Sequence, residues 1–169
     1  IVELSKEALQ LIDALKTEET VPLPHQLIAS LRPYQERGYR WLYKNTQIGF
    51  GSLLADDMGL GKTLQVITLI LKFKQEQQLD DQPVLVIVPT TLLTNWYKEI
   101  AKFAPQLRVY IHHGNSRDIE KKDIDVFITT YGLLRREKDA FQKKVWKAII
   151  LDEAQAIKNH MVNISRAVK

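Results

Sequence analysis

The sequence predicts an α/β fold, a mostly parallel central sheet with helices on both faces. Three observations predict it. Short apolar runs of strand length recur at Ser52–Ala55, Val84–Val88, Leu107–Ile111, Asp125–Thr129 and Ala148–Leu151. Between them lie stretches of helical period, clearest at Leu93, Trp96, Ile100 and Phe103. A glycine-rich stretch, Gly59-Leu60-Gly61-Lys62-Thr63, joins the first run to the helical segment after it. Uninterrupted apolar strands alternating with helices are buried on both faces of a parallel sheet. Such sheets bind ligands at the carboxyl ends of their strands.

The elements follow in order. Residues 5–16 are predicted as an amphipathic helix capped by Ser5, with Leu4, Ala8, Leu11, Ile12 and Leu15 on one face. Lys16 to Pro24 carries acids and prolines and reads as a linker. A second helix is expected from near Ser30 to about Asn45, with Pro33 in its first turn. Ser52–Ala55 is expected as a short buried strand and residues 62–77 as the helix after it. Val84–Val88 is a strand, 93–103 a helix, and Leu107–Ile111 and Asp125–Thr129 further strands. Residues 131–144 read as a polar helix or loop, and Ala148–Leu151 as a last buried strand. The chain divides into a helical N-terminal segment with its linker, residues 1–29, and a lobe over 30–169.

The 169 residues are 45% hydrophobic and 26% charged, as in an ordinary globular protein. No apolar run is long enough to span a bilayer as a helix, so no membrane role is expected. The absence of cysteine excludes disulfides and thiolate-bound metals. His25, His112, His113 and His160 form no spaced metal motif. The first residue is Ile1 rather than Met, as expected of a piece of a longer protein. Residues 1–30 hold two lysines against five acids. Residues 31–169 hold 22 Lys and Arg against 15 acids, a net of +7. That balance suits a polyanionic partner and equally an ordinary solvated basic surface.

Ala55-Asp56-Asp57-Met58-Gly59-Leu60-Gly61-Lys62-Thr63 follows a strand and opens a helix. Phosphate binding needs this arrangement. Gly59 and Gly61 let the backbone turn and present N–H groups without a Cβ in the way. The helix N-terminus adds unpaired N–H groups and the positive end of its dipole. Lys62 brings a full charge to the phosphates, and the Thr63 hydroxyl can ligate Mg²⁺. The general phosphate-loop pattern has glycine where this chain has Asp56.

Asp152 and Glu153 close the apolar run Ile149-Ile150-Leu151, about ninety residues after Lys62. One carboxylate can hold the magnesium shell while its neighbour orients and deprotonates the attacking water. The two motifs complete one site.

Asp56-Asp57-Met58-Gly59-Leu60-Gly61-Lys62-Thr63, followed by Asp152-Glu153-Ala154-Gln155-Ala156-Ile157-Lys158-Asn159, resembles the Swi/Snf-type ATPases of helicase superfamily two. These are double-stranded-DNA translocases, including chromatin remodellers and bacterial relatives. Asp57 stands where the family usually has Glu. Leu31-Arg32-Pro33-Tyr34-Gln35, with Gly38 and Trp41-Leu42, is similar to the family's adenine-sensing segment. Val86-Ile87-Val88-Pro89 with Asn95-Trp96 and Glu99 is similar to its motif Ia. His113-Gly114 and Ile128-Thr129-Thr130-Tyr131 resemble its next two landmarks.

The resemblance implies a RecA-like P-loop NTPase lobe, the first of two, with ATP and Mg²⁺ as cofactors. Met58, Gly59, Leu60, Gly61, Lys62 and Thr63 would line the phosphates, and Gln35 would hydrogen-bond the adenine edge. Thr63 and Asp152 would hold magnesium, and Glu153 would be the general base, with Asp152 and Lys62 completing the catalytic set. Pro89, Gly114, Thr129, Thr130 and Tyr131 would touch a DNA backbone. Each of these also has a structural reading; Pro89 can simply end a strand, and Trp96 reads as core packing. The implied activity is DNA-dependent ATP hydrolysis driving movement on duplex DNA and remodelling of a nucleoprotein target. The partners are double-stranded DNA, bound weakly by one lobe, and the second lobe of the same protein. That lobe would supply an arginine finger, so the lobe alone is expected nearly inactive. The chain is expected to stop before the first lobe's last central strand. Localisation would be intracellular: cytoplasm or nucleoid in a bacterium, nucleus in a eukaryote. A strand-separating helicase or restriction-type translocase is the alternative within the class; a nucleotide-dependent scaffold is the alternative outside it.

Overall fold

The computed structural model describes residues 5, 6, 10, 21–54 and 61–154. The helix expected over 5–16 therefore lies almost wholly outside the described residues. Four strands, β1 (Val84–Val88), β2 (Val109–Ile111), β3 (Val126–Thr130) and β4 (Ala148–Leu151), form one sheet in the order β2-β3-β1-β4. Every pairing is parallel, with Val84 opposite both Val126 and Ala148, and Val109 opposite Val126. The helices are α1 (Pro33–Gln47), α2 (Lys62–Gln75), α3 (Leu93–Phe103), α4 (Tyr131–Arg136) and α5 (Lys138–Lys143).

β1 and β3 are the two central strands, and all ten of their residues are buried. Alternation divides them between two cores. Val84, Val86, Val88, Val126 and Ile128 face a large cluster with Tyr39 and Leu42 of α1, Ile67, Ile70, Leu71 and Phe73 of α2, and Trp96 and Ile100 of α3. Leu85, Ile87 and Phe127 face a smaller one with Phe141 of α5. The chain leaves β1 towards β2 through α3 and leaves β3 towards β4 through α4 and α5. These excursions run in opposite directions across the sheet. Right-handed crossovers then put their helices on opposite faces. No helix among the described residues is long and apolar enough to cross a membrane.

Two expectations are corrected. Ser52–Leu54 is not a strand: Leu53 is 76% exposed, and Ser52 instead meets the Asn45 amide at 2.9 Å. A strand needs a neighbour for its backbone groups, and among the described residues the sheet ends at β4. Ala55 lies outside the described residues. β4 is also less buried than expected, with Leu151 exposed, because it occupies that edge. Elsewhere the limits move by one to three residues, and the polar stretch after β3 becomes two short helices joined at Glu137.

Candidate nucleotide site

The carboxyl ends of the four strands lie along one edge of the parallel sheet. Pro89 follows β1, His112 to Gly114 follow β2, Tyr131 follows β3, and Asp152 with Glu153 follow β4.

Met58, Gly59 and Leu60, with Asp56 and Asp57, lie outside the described residues, as do Gln155 to Asn159. The description of the loop resumes at Gly61, which caps α2 with φ +72°, the left-handed region that glycine enters without cost. Lys62 and Thr63 are the first two residues of α2 and are half-buried. Their backbone N–H groups stand in the first turn of α2, where no preceding helical carbonyl is in place to accept them.

Gln35 comes to this point from α1. It is buried, and its Oε1 accepts the Arg32 backbone N–H at 2.8 Å, a bond that fixes the amide's orientation. Its nitrogen end faces Gly61 so closely that a Cβ there would overlap Nε2. One turn further along α1, a Cβ at Gly38 would overlap the Gln65 amide, which is fully buried on α2. Gln35 and Gly38 share one face of α1, as Gly61 and Gln65 share one face of α2. The resemblance pointed to Gln35 for adenine; its contact with the phosphate loop, 26 residues away in sequence, depends on tertiary packing. Gln65 was missed altogether, since a glutamine in an apolar helix carries no motif signal.

The carboxylate pair is held firmly at its first member. The Asp152 N–H donates to the Ile87 carbonyl at 3.0 Å, extending the β1–β4 ladder by one residue. Its Oδ2 accepts the Trp96 indole N–H at 2.8 Å, its Oδ1 accepts the Glu153 backbone N–H at 2.9 Å, and its carbonyl accepts the Tyr131 hydroxyl at 2.6 Å. Burial, then the nearby charges of Asp152 and Glu153, push the Tyr131 phenol up to about 12, so it stays a donor. Glu153 sits at φ +53°, a conformation that costs a non-glycine residue on the order of 1–3 kcal/mol and recurs at functional sites. Gln77 and Asp123 share the left-handed region in loops away from this edge.

The segments expected to meet a DNA backbone are not equally open. Pro89 is half-buried and Gly114 exposed at φ +82°. Thr129 is fully buried, and its hydroxyl donates to the His112 carbonyl at 3.1 Å. Thr130 is buried too, and its Oγ1 caps α4 by accepting the Leu133 N–H at 3.3 Å. The Thr129 hydroxyl thus donates inside the fold, and the Thr130 hydroxyl accepts inside it. The Gly114 loop is anchored by Glu137, whose Oε2 meets the buried His112 Nε2 at 2.7 Å and whose Oε1 accepts from Arg117 Nε at 2.7 Å. The Arg117 guanidinium also donates to the Gly114 carbonyl.

The SNF2-related domain family matches residues 34–169. A putative ATP-dependent helicase/translocase of Bacillus subtilis is 40% identical over 99% of this chain and 19% of its own length. The ISWI chromatin-remodeling complex ATPase ISW2 of Saccharomyces cerevisiae is 37% identical over 82% of this chain and 13% of its own length. Among solved structures, a Sulfolobus solfataricus SWI2/SNF2 ATPase core in complex with dsDNA matches with TM-score 0.77 and 45% identity. That match covers 89% of this chain and 31% of the archaeal one. The chain thus spans between about an eighth and a third of the length of these three proteins.

Proposed function

The chain belongs to the SNF2-related domain family, and from that membership we propose that it is the ATP-binding lobe of a motor that hydrolyses ATP to move along double-stranded DNA. The observation that carries the reading is the meeting of Gln35 with Gly61 at the start of α2, which brings the adenine candidate to the phosphate candidates. Support for the DNA half comes from the archaeal relative, solved in complex with dsDNA, and from the net +7 of residues 31–169.

Lys62 and the N–H groups of the first turn of α2 bind the phosphates, and Met58, Gly59 and Leu60 complete that loop. Gln35 holds the adenine edge. Glu153 accepts a proton from the attacking water and orients it. The oxygen donors fit magnesium, a hard cation: the Thr63 hydroxyl, and an Asp152 carboxylate that accepts a hydrogen bond on each oxygen and keeps lone pairs on both. When bound, magnesium neutralises charge developing on the phosphates. A second RecA-like lobe supplies the arginine finger and the rest of the DNA track, and the motor's work is remodelling of a nucleoprotein complex.

Two substitutions in the full-length protein test the assignment. Lys62→Ala removes a charge-assisted contact of about 1.5–3 kcal/mol, so isothermal titration should show ATP binding weakened roughly tenfold or more. Glu153→Gln should leave ATP binding near wild type and abolish duplex-stimulated turnover. Unchanged affinity in the first, or wild-type turnover in the second, contradicts the assigned roles. Stimulation by single strands but not by duplex would move the reading to a strand-separating helicase.

A further inference from the structure

Trp96 lies in the first turns of α3, just beyond Pro89 at the end of β1. Tyr131 opens α4 at the end of β3. Both donate to one residue, Asp152: the indole to the carboxylate and the phenol to the backbone carbonyl. The Trp96 side chain is 2% exposed, so its ring packs in the large core while its only polar atom needs a partner. Indole is a donor with no acceptor function, and the acceptor it finds is the carboxylate assigned to magnesium rather than a backbone carbonyl. Tyr131 fixes the other end of the same residue. Asp152 is thus oriented from two segments that also border the candidate DNA surface, one after each central strand.

We infer that Trp96 and Tyr131 are positioning residues that set the Asp152 carboxylate and transmit DNA engagement at the ends of β1 and β3 to the nucleotide site. The inference rests on the motor reading above and adds to it the route of coupling. A shift of α3 or of the β3–α4 junction on a duplex moves a donor of Asp152 directly, with no intervening side chain. Neither residue touches the reacting atoms; each acts through Asp152.

The test uses the full-length protein with Trp96→Phe and Tyr131→Phe. The first keeps an aromatic ring and removes the N–H; the second removes one hydroxyl. Three quantities are read: binding of a non-hydrolysable ATP analogue across a Mg²⁺ series, duplex affinity by fluorescence anisotropy, and the ratio of turnover with and without saturating duplex. Both variants should raise the Mg²⁺ concentration needed for half-maximal analogue binding several-fold and lower the duplex stimulation ratio about tenfold. Duplex affinity of Trp96→Phe should stay within about twofold of wild type. A residue important only for packing would lower the melting temperature and leave the Mg²⁺ midpoint in place. If Trp96→Phe fails to fold, Tyr131→Phe decides alone. Wild-type Mg²⁺ midpoints and stimulation ratios overturn the inference while Lys62→Ala and Glu153→Gln still behave as described, so the motor reading survives. If the wild-type protein shows no duplex stimulation, both fall.

Discussion

A methyl group added at Gly38 cannot be placed without displacing the Gln65 amide, and Gln65 is fully buried. Neither atom of that amide has a hydrogen-bond partner among the described residues, a state that costs about 1–3 kcal/mol for a buried polar group. The chain retains it where α1 packs on α2, beside the Gln35–Gly61 contact. Gly38→Ala gains about 1 kcal/mol of helix propensity and loses about 1–3 kcal/mol to overpacking. The overlap should win, and the melting temperature should fall. The double substitution with Gln65→Ala removes the obstruction and should recover the loss, so a double-mutant cycle should return a coupling of about 1–2 kcal/mol. A neutral or stabilising Gly38→Ala would mean that Gln65 swings aside freely. Gly61, Lys62, Thr63, Asp152 and Glu153 stood out in the sequence because each group is a short local run, a glycine loop opening a helix and an acidic pair closing an apolar strand. The partners of Gln35, Gln65 and Trp96 were not. Helical spacing marks Trp96 as buried but does not say which acceptor its N–H finds, and Asp152 is 56 residues away.

Three elements meet at Asp125, at the amino edge of the sheet, opposite the candidate site. Its buried carboxylate accepts from Lys74 near the end of α2 at 2.6 Å, and from the backbone and guanidinium of Arg108, just before β2, at 2.8, 3.1 and 2.9 Å. Burial opposes its charge, but the Arg108 and Lys74 contacts outweigh burial and hold the carboxyl below its usual range. The folded group titrates lower than the unfolded one. Its stabilising contribution is therefore complete above the unfolded value, about 3.9, and is lost as pH falls through the lower folded value. Asp125→Asn should cost about 1.5–3 kcal/mol at neutral pH, the worth of hydrogen bonds to a charged group. Thermal melts from pH 7 down to 2 should show the wild-type and Asn curves converging on the acid side; parallel curves would rule Asp125 out as the source. Sequence period predicted β1, α3 and β3 almost to the residue, since each has a continuous apolar run or a full helical face. It failed at Ser52–Leu54, where composition resembles a strand but the described sheet offers no partner, and at β4, where an apolar run occupies an edge.

The Asp125 ion pairs lie at one edge of the sheet and the candidate chemistry at the other, and the basic balance of residues 31–169 belongs to neither alone. Contacts to phosphate position a protein without reading sequence, which suits a motor that must step past any base. Each phosphate neutralised steepens the fall of log K with log salt by about 0.9 on duplex DNA. This chain offers the Pro89 and Gly114 segments and the β3–α4 junction at Tyr131, while the partner lobe in our proposal offers the remainder of the track. Its own duplex affinity should accordingly be weak, indifferent to sequence and shallow in salt. The full-length protein should bind duplex more tightly with a steeper slope. Turnover should follow the same division, because an arginine finger is worth about 10³–10⁵ in rate: the chain by itself should bind ATP yet hydrolyse it barely above background. Fluorescence anisotropy across a salt series, with ATPase assays on the same two proteins, checks both halves. Equal slopes would place the whole DNA footprint on this lobe, and full turnover by the chain alone would remove the need for a second lobe in the chemistry. If the full-length protein neither binds duplex nor responds to it, the basic surface is merely solvated, and a nucleotide-dependent scaffold is the reading that remains.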